Sequence, residues 1–495
     1  MSRTQMKSWR KTLNHILSGL EEKPQNLDLV ERIDTNLSNI VKMKFSAYST
    51  ATLVIWALRL FRLAYLSRST PANHMLGFLS AEALVNALKF GKPETLGPHK
   101  TGNYETSLKE ASENHSELLR LILLKIMVKW IYDKAKIVSS IDPSYKQKMQ
   151  GVTESLRNIT NRWEEIDPLS AEVDEDYTIR PIFFLNRATD FEKEISVAQE
   201  SVDPIWHKVY GFGYSALIRV LSNLKNYCDE QSKKSGAGVY VYRVEGKVIK
   251  NLCQFLSESE VQQVIDFVSW TKERIITLEN TTQDPIKMLM TCALIKYSEE
   301  DRYLTSNYLL FWALGVFLET PKFDEKLEIA AKDLSLSRKL NLWRKNKEGK
   351  VLNDYKDFFE QVGFANMHIQ KKLPDCGEID LLGTFEKNGQ EYGIICELKE
   401  LTPRGMTTYD YMRRAYFVEE HPALQLEKKT EILGRSEKAR KMFLNLVKTA
   451  ELPKVFIPII ILNGQPLSYY GRMPLVTIYD DPAAVKEKIE RYLIH

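Results

Sequence analysis

The stretch CGEIDLLGTFEKNGQEYGIICELKE, residues 376–400, sets Glu378, Asp380, Glu397 and Lys399 into two runs that otherwise read as buried strand. Ile379, Leu381 and Leu382 surround the first pair of charges, and Ile394, Ile395, Cys396 and Leu398 the second. Charges in such runs cost free energy unless they are paired or bound to a metal. An Asn-Gly pair between strand-like runs is the strongest short-range hairpin signal. With Asn388-Gly389 as a two-residue turn, Lys387 faces Gln390. Counting outward, Asp380 then faces Glu397, and Glu378 faces Lys399. Strand side chains alternate between faces, so all four charges project from one side. Ile379, Leu381, Cys396 and Leu398 occupy the other side, while the charged side continues into Leu382 and Ile395. Apolar residues on both faces predict a central pair of strands.

Facing carboxylates have β-carbons about 5 Å apart and repel each other. A divalent cation between them removes the objection, and magnesium is usually held by one or two carboxylates plus waters and phosphate oxygens. Lys399, two residues beyond Glu397, points the same way and is placed to orient or help deprotonate a water on such an ion. The ion would polarise a phosphodiester and stabilise the charge developed during attack. A solvated charged face with a Glu378–Lys399 pair is the bland alternative, and the apolar flanks argue against it.

These residues resemble the PD-(D/E)XK nuclease superfamily, the restriction-endonuclease-like fold. GEIDLLG and, after the hairpin, IICELKE carry the resemblance, the second matching the acidic-x-Lys signature. It covers about 150 of the 495 residues, from the helix predicted at 351 to the C-terminus, in the order helix, three strands, helix and further strand. The resemblance implies that Asp380 and Glu397 are metal ligands, that the Leu398 carbonyl is a third, and that Lys399 is the catalytic lysine. It also implies Mg2+ or Mn2+ as cofactor. Family members often add a glutamate on the preceding helix, for which Glu360 in DFFEQVG is the candidate. Gln425 in HPALQLEKKTEIL is the candidate for a residue on the following helix. The literal Pro374-Asp375 is set aside, because in this register Asp375 would face Thr402 and point away from Asp380.

Working outward, the expected fold is multidomain: a mostly α N-terminal region, then an α/β restriction-endonuclease-like domain with a central mixed sheet flanked by helices. Residues 1–235 read as helices, with apolar positions at three- and four-residue spacing in TATLVIWALRLFRLAYL and YGFGYSALIRVLSNLKNY. In 236–345 the segment KKSGAGVYVYRVEGKVIKN predicts a short hairpin turning at Glu245-Gly246, after which helices resume from Ser257 to about 336. Ser257 and Glu260 resemble a capping box. Residues 346–495 form the nuclease-like domain. The basic stretch SRKLNLWRKNKEGK (337–350) reads as a linker or nucleic-acid-facing element, or more plainly as a solvated helix end and loop. In 427–448, seven Lys or Arg stand against three Glu, which suits phosphate contact or intrahelical pairing equally. Arg404, Arg413 and Arg414 lie nearer the carboxylates in sequence.

With 69 basic and 65 acidic residues the chain is close to charge balance, so any basic footprint must be local. Five scattered cysteines without a Cys-x-x-Cys pair argue against a disulfide framework or zinc site and fit a reducing, cytoplasmic setting. The apolar runs 51–66 and 307–318 are interrupted or too short to span a bilayer, and predict buried helices. The eight histidines form no metal-spaced pair, and no phosphate loop, serine elbow or kinase motif occurs. The expected activity is metal-dependent endonucleolytic hydrolysis, with DNA favoured over RNA and host defence as the setting. The helical region would select substrate, sense a trigger, or mediate homo-oligomer or partner assembly. An inactive nuclease fold acting as a scaffold, or an RNA-directed nuclease, are the alternatives.

Overall fold

In the computed structural model, the residues described are 27–66, 71–92, 191–235, 241–280, 292–310, 325–400, 422–463 and 473–494. A few single positions within these ranges are excepted, and scattered positions in 118–125 and 313–317 are added. The N-terminal part opens with α1 (Leu27–Phe45), α2 (Thr50–Leu66) and α3 (Pro71–Phe90), followed by α4 (Phe191–Ser201), α5 (Asp203–Tyr210) and α6 (Tyr214–Ser235). The apolar run of α2 is a buried helix, with Leu53, Val54, Trp56 and Leu58 almost inaccessible. Leu309, Leu310, Ala313, Leu314 and Phe317 are likewise buried. Among the described residues no helix is long and apolar enough to cross a membrane.

The middle of the chain departs from expectation. It runs β1 (Val241–Glu245), α7 (Gly246–Leu252), α8 (Glu258–Val268), β2 (Ser269–Trp270), α9 (Lys272–Asn280), β3 (Leu294–Lys296), β4 (Arg302–Ser306) and α10 (Glu325–Asp333). The alternation in VYVYRVEG does make a strand, but its partner is distant. β1 pairs antiparallel with β4, Val241 opposite Ser306 and Glu245 opposite Arg302. Gly246 opens α7 instead of turning a hairpin, its N–H bound to the Asp301 carbonyl. Strands β2, β3 and β4 also interrupt the region expected to be helical from 257 to 336. The four strands form a small mixed sheet in the order β1-β4-β3-β2, with β2 and β3 parallel. Ser257 does cap α8, accepting the Glu260 N–H at 3.2 Å. The Glu260 carboxylate turns instead to the Gly213 N–H at 3.4 Å, so only half of the capping box forms.

The basic stretch 337–350 is neither linker nor loop. It is the first half of one 26-residue helix, α11 (Ser337–Val362). Leu340 and Trp343 bury in the core built from residues 195–343, where the Trp343 ring meets Tyr214 edge-on at 5.2 Å. Val351, Leu352, Tyr355, Phe358 and Phe359 bury in a different core further on. One helix therefore belongs to both. It stops at Gly363, whose φ of 105° takes the left-handed conformation that ends a helix and that glycine adopts without strain.

The C-terminal part continues with β5 (Phe364–Leu373), β6 (Gly377–Lys387), β7 (Gln390–Glu400), α12 (Leu424–Arg435), α13 (Glu437–Val447), β8 (Phe456–Asn463), β9 (Leu475–Thr477) and α14 (Pro482–Ile494). The sheet order is β5-β6-β7-β8-β9, antiparallel through β7 and parallel from β7 to β9. Helices α11 and α14 cover one face through Phe359, Val485 and Ile489. Helices α12 and α13 cover the other through Leu426, Leu433 and Phe443. Strand β8 shows why both faces are dry: Ile457, Ile459 and Ile461 enter the first core, and Ile460 and Leu462 the second. The protein is thus an α-rich region joined to an α/β unit, with two mixed sheets.

Gly349 lies inside α11, and a β-carbon added there meets nothing within 4 Å. Gly349→Ala should therefore stabilise the chain by about 0.5–1 kcal/mol, and Gly349→Pro should destabilise it by about 3 kcal/mol or more. Denaturant midpoints check this. Tolerance of proline would mean that 337–350 behaves as a linker after all.

Candidate active site

The Asn388-Gly389 turn sets the geometry. Their φ angles of 53° and 74° are those of a type I′ turn, whose twist matches the flanking strands. Pairing runs in the expected register from Lys387 opposite Gln390 to Leu381 opposite Cys396, and then the ladder ends. Asp380 and Glu397 come next in line, beyond the last paired residues.

Here the regular alternation fails. Leu381, Cys396 and Leu398 enter the core beneath α11 and α14, as expected. Ile379 does not join them but packs with Leu382 and Ile395 beneath α12 and α13. On β5, Lys371 pairs with Ile379 and Ile369 with Leu381, and Gln370 between them has a left-handed φ of 47°. The Asp380 carboxylate turns into the gap between β6 and β7, where Oδ2 accepts the Leu398 N–H at 2.7 Å. In an antiparallel strand a residue's N–H and C=O project to the same side, so the Leu398 carbonyl faces this gap too.

Glu397 is only 7% exposed. Its Oε1 accepts from Lys399 Nζ at 2.8 Å, and its Oε2 from Lys429 Nζ at 2.6 Å. Glu378 does not bond to Lys399, the pair of the bland alternative. Its side chain is exposed, and only its carbonyl enters the cluster, accepting from Lys429 at 2.6 Å. Glu360 stays outside: it is exposed and pairs with Lys356 at 3.7 Å, one turn back on α11. Gln425 is exposed in the first turn of α12 and bonds to none of the cluster residues. Asp375 sits in the turn between β5 and β6 and accepts from the Ser436 hydroxyl at 2.7 Å. Arg404, Arg413 and Arg414 lie outside the described residues.

Lys429 was not singled out from sequence, where it counts as one of seven basic residues in 427–448. That segment is two helices, divided at Ser436, which caps α13 by accepting the Ala439 N–H. Exposed i,i+4 pairs, Arg435–Glu431 and Lys441–Glu437, account for part of its charge. Lys429 differs from them: its side chain is 13% exposed. It lies between Leu426 and Leu433, both fully buried and one heptad apart. A charge within the apolar stripe of a helix is the signal that could have found it.

The carboxylates feel each other. Burial first, and then the neighbouring Glu397 charge, push the Asp380 carboxyl up to about 6, while the Leu398 N–H, Lys429 and Lys399 pull it back. Asp380, Glu397 and the Leu398 carbonyl are hard oxygen donors of the kind a magnesium ion takes. Among the described residues no group of three or more His, Cys, Asp or Glu gathers. An ion here would thus rest on two carboxylates, with carbonyl, water and phosphate oxygens completing its shell. The donor set fits that requirement, and an ion would relieve the repulsion that raises Asp380. No family model matches the chain, and no curated protein or solved structure matches it.

The raised Asp380 value has a signed consequence for stability. Folding favours the protonated acid, so this group's contribution is complete below about 3.8 and is lost as pH rises through about 6. Asp380→Asn keeps an acceptor for the Leu398 N–H and carries no charge. Without divalent ions it should stabilise the protein at pH 8 by on the order of 2 kcal/mol more than at pH 4. Denaturant titrations at the two pH values check this. An equal effect at both would contradict the raised value.

Proposed function

We propose that the C-terminal unit is a metal-dependent phosphodiester hydrolase of the PD-(D/E)XK kind, an endonuclease acting on DNA in preference to RNA. One observation carries this reading. Asp380, Glu397 and Lys399 meet where the β6–β7 ladder ends, on a mixed sheet covered on both faces by helices. The element order from α11 to α14 supports a restriction-endonuclease-like fold.

In this reading Asp380, Glu397 and the Leu398 carbonyl hold Mg2+ or Mn2+. A bound ion supplies Lewis-acid polarisation of the phosphodiester and lowers the pKa of a coordinated water. Lys399 holds the attacking water in line and stabilises the charge that develops on the phosphoryl oxygens. Glu397, bonded to Lys399 at 2.8 Å, fixes the direction of that ammonium. Asp380 must be ionised to act as ligand, so metal binding competes with protonation of this raised carboxyl and weakens as pH falls. Glu360 and Gln425 take no part in this set.

A cytoplasmic defence nuclease, with the helical region sensing a trigger or mediating homo-oligomer or partner assembly, is the setting this reading favours. A specific observation supports a second reading. Both Glu397 oxygens are already bonded to lysines, so the cluster is balanced without an ion and would suit an inactive nuclease fold that only binds nucleic acid.

Cleavage of plasmid, linear and single-stranded DNA and of RNA, with Mg2+ or Mn2+, separates these readings. The wild type should cleave only with metal. Asp380→Ala and Lys399→Ala should each lose about a hundredfold or more in rate, with unchanged circular dichroism. Binding without cleavage in every condition favours the scaffold, and cleavage that survives both substitutions removes the site from the mechanism.

A further inference from the structure

Lys429 has no role in the chemistry proposed above, yet it is the more deeply buried of the two lysines on Glu397. Its side chain is 13% exposed, against 24% for Lys399. The two lysines also differ in how they are carried. Lys399 follows Glu397 on the same strand, so both are fixed by the pairing of β7 with β8. Lys429 comes from α12, a separate element; its ammonium bonds to Glu397 Oε2 and to the Glu378 carbonyl, each 2.6 Å, while its backbone carbonyl accepts from the Cys376 thiol at 3.6 Å.

Charge decides what these bonds mean. Two carboxylates, Asp380 and Glu397, face two ammonium groups, and the cluster is neutral when all four are ionised. Adding a divalent ion beside Glu397 brings it within a few ångströms of both ammoniums, and like charges at that range repel strongly in a half-buried site. One ammonium must withdraw. Lys399 belongs to the proposed catalytic set, whereas Lys429 can change its side-chain rotamers and give up two hydrogen bonds, to Glu397 and to the Glu378 carbonyl, without removing a member of that set.

We infer that Lys429 is a built-in competitor for the metal: it holds the Glu397 carboxylate while no ion is bound and yields it when one binds. This rests on the metal-dependent reading of the site and adds its regulation. It provides a way to keep two buried carboxylates folded and charge-balanced without metal. It also sets a threshold, so that the ion loads fully only when its concentration, or an accompanying phosphate, outweighs the internal lysine.

The test is calorimetric titration of the full chain with Mn2+, without nucleic acid. Lys429→Met keeps the length and burial of the side chain but removes the ammonium, and should bind Mn2+ about tenfold more tightly than the wild type. Lys429→Gln keeps a donor for the Glu378 carbonyl and should shift in the same direction, which covers the case of a methionine variant that fails to fold. Lys428→Met removes the same charge from an exposed neighbour and should leave affinity within about twofold, separating displacement from general electrostatics. Unchanged or weaker binding by both Lys429 variants, with Asp380→Asn abolishing the wild-type signal, would overturn the competitor role alone. Absence of Mn2+ binding by every variant would overturn both it and the metal-dependent reading.

Discussion

A carboxylate as buried as Glu397 persists in charged form only if its oxygens are bonded, because desolvating an unpaired charge costs several kcal/mol. In this protein the bonding comes from two directions. Lys399 reaches Oε1 along the same strand, and Lys429 reaches Oε2 from the helix packed above it. The Glu397 carboxylate thus ties β7 to α12, and the Lys429 ammonium, by also donating to the Glu378 carbonyl, ties the same helix to β6. The cluster sits on a sheet whose two faces are otherwise dry, and without an ion its carboxylates are balanced by these two lysines.

Register and its interruption act together to make the site. A two-residue turn at Asn388-Gly389 leaves the hairpin no freedom to slip, and a slip of one residue would send every side chain to the opposite face. The ladder then stops after Leu381 and Cys396, and the Asp380 carboxylate takes the Leu398 N–H that would otherwise have gone to a backbone carbonyl of β6. That exchange draws Asp380 toward the plane of the sheet and leaves the Leu398 carbonyl turned to the same gap. A fully zipped hairpin would have kept Asp380 standing on one face with no backbone oxygen nearby. The opening between the strands is therefore as much a part of the site as its charges.

Much of this was legible in the sequence, and the physical reasons are specific. The hairpin could be read because a type I′ turn fixes register by geometry alone. The buried strands could be read because Ile394, Ile395 and the isoleucines of β8 fill both faces. The switch at Asp380 could not, since it depends on a side chain outcompeting a backbone acceptor for the Leu398 N–H. The error at Glu245-Gly246 has a similar origin: alternation identifies a strand, but a strand's partner is set by tertiary packing, here with β4 about sixty residues away. Glu360 follows Phe358 and Phe359, the inward residues of α11, and falls off that stripe. Lys429 lies on the stripe of α12, and for that reason belongs to the cluster.

Continuity of α11 links the two halves of the protein, with Trp343 in one core and Phe359 in the other. The central claim, however, concerns the gap beside Leu398. Anomalous diffraction from crystals soaked in Mn2+ addresses it directly. The account predicts a single strong peak about 2.1 Å from carboxylate oxygens of both Asp380 and Glu397, with the Lys429 ammonium withdrawn from Oε2. Both lysines still bonded to Glu397 at saturating Mn2+, with no peak beside Asp380, would contradict it.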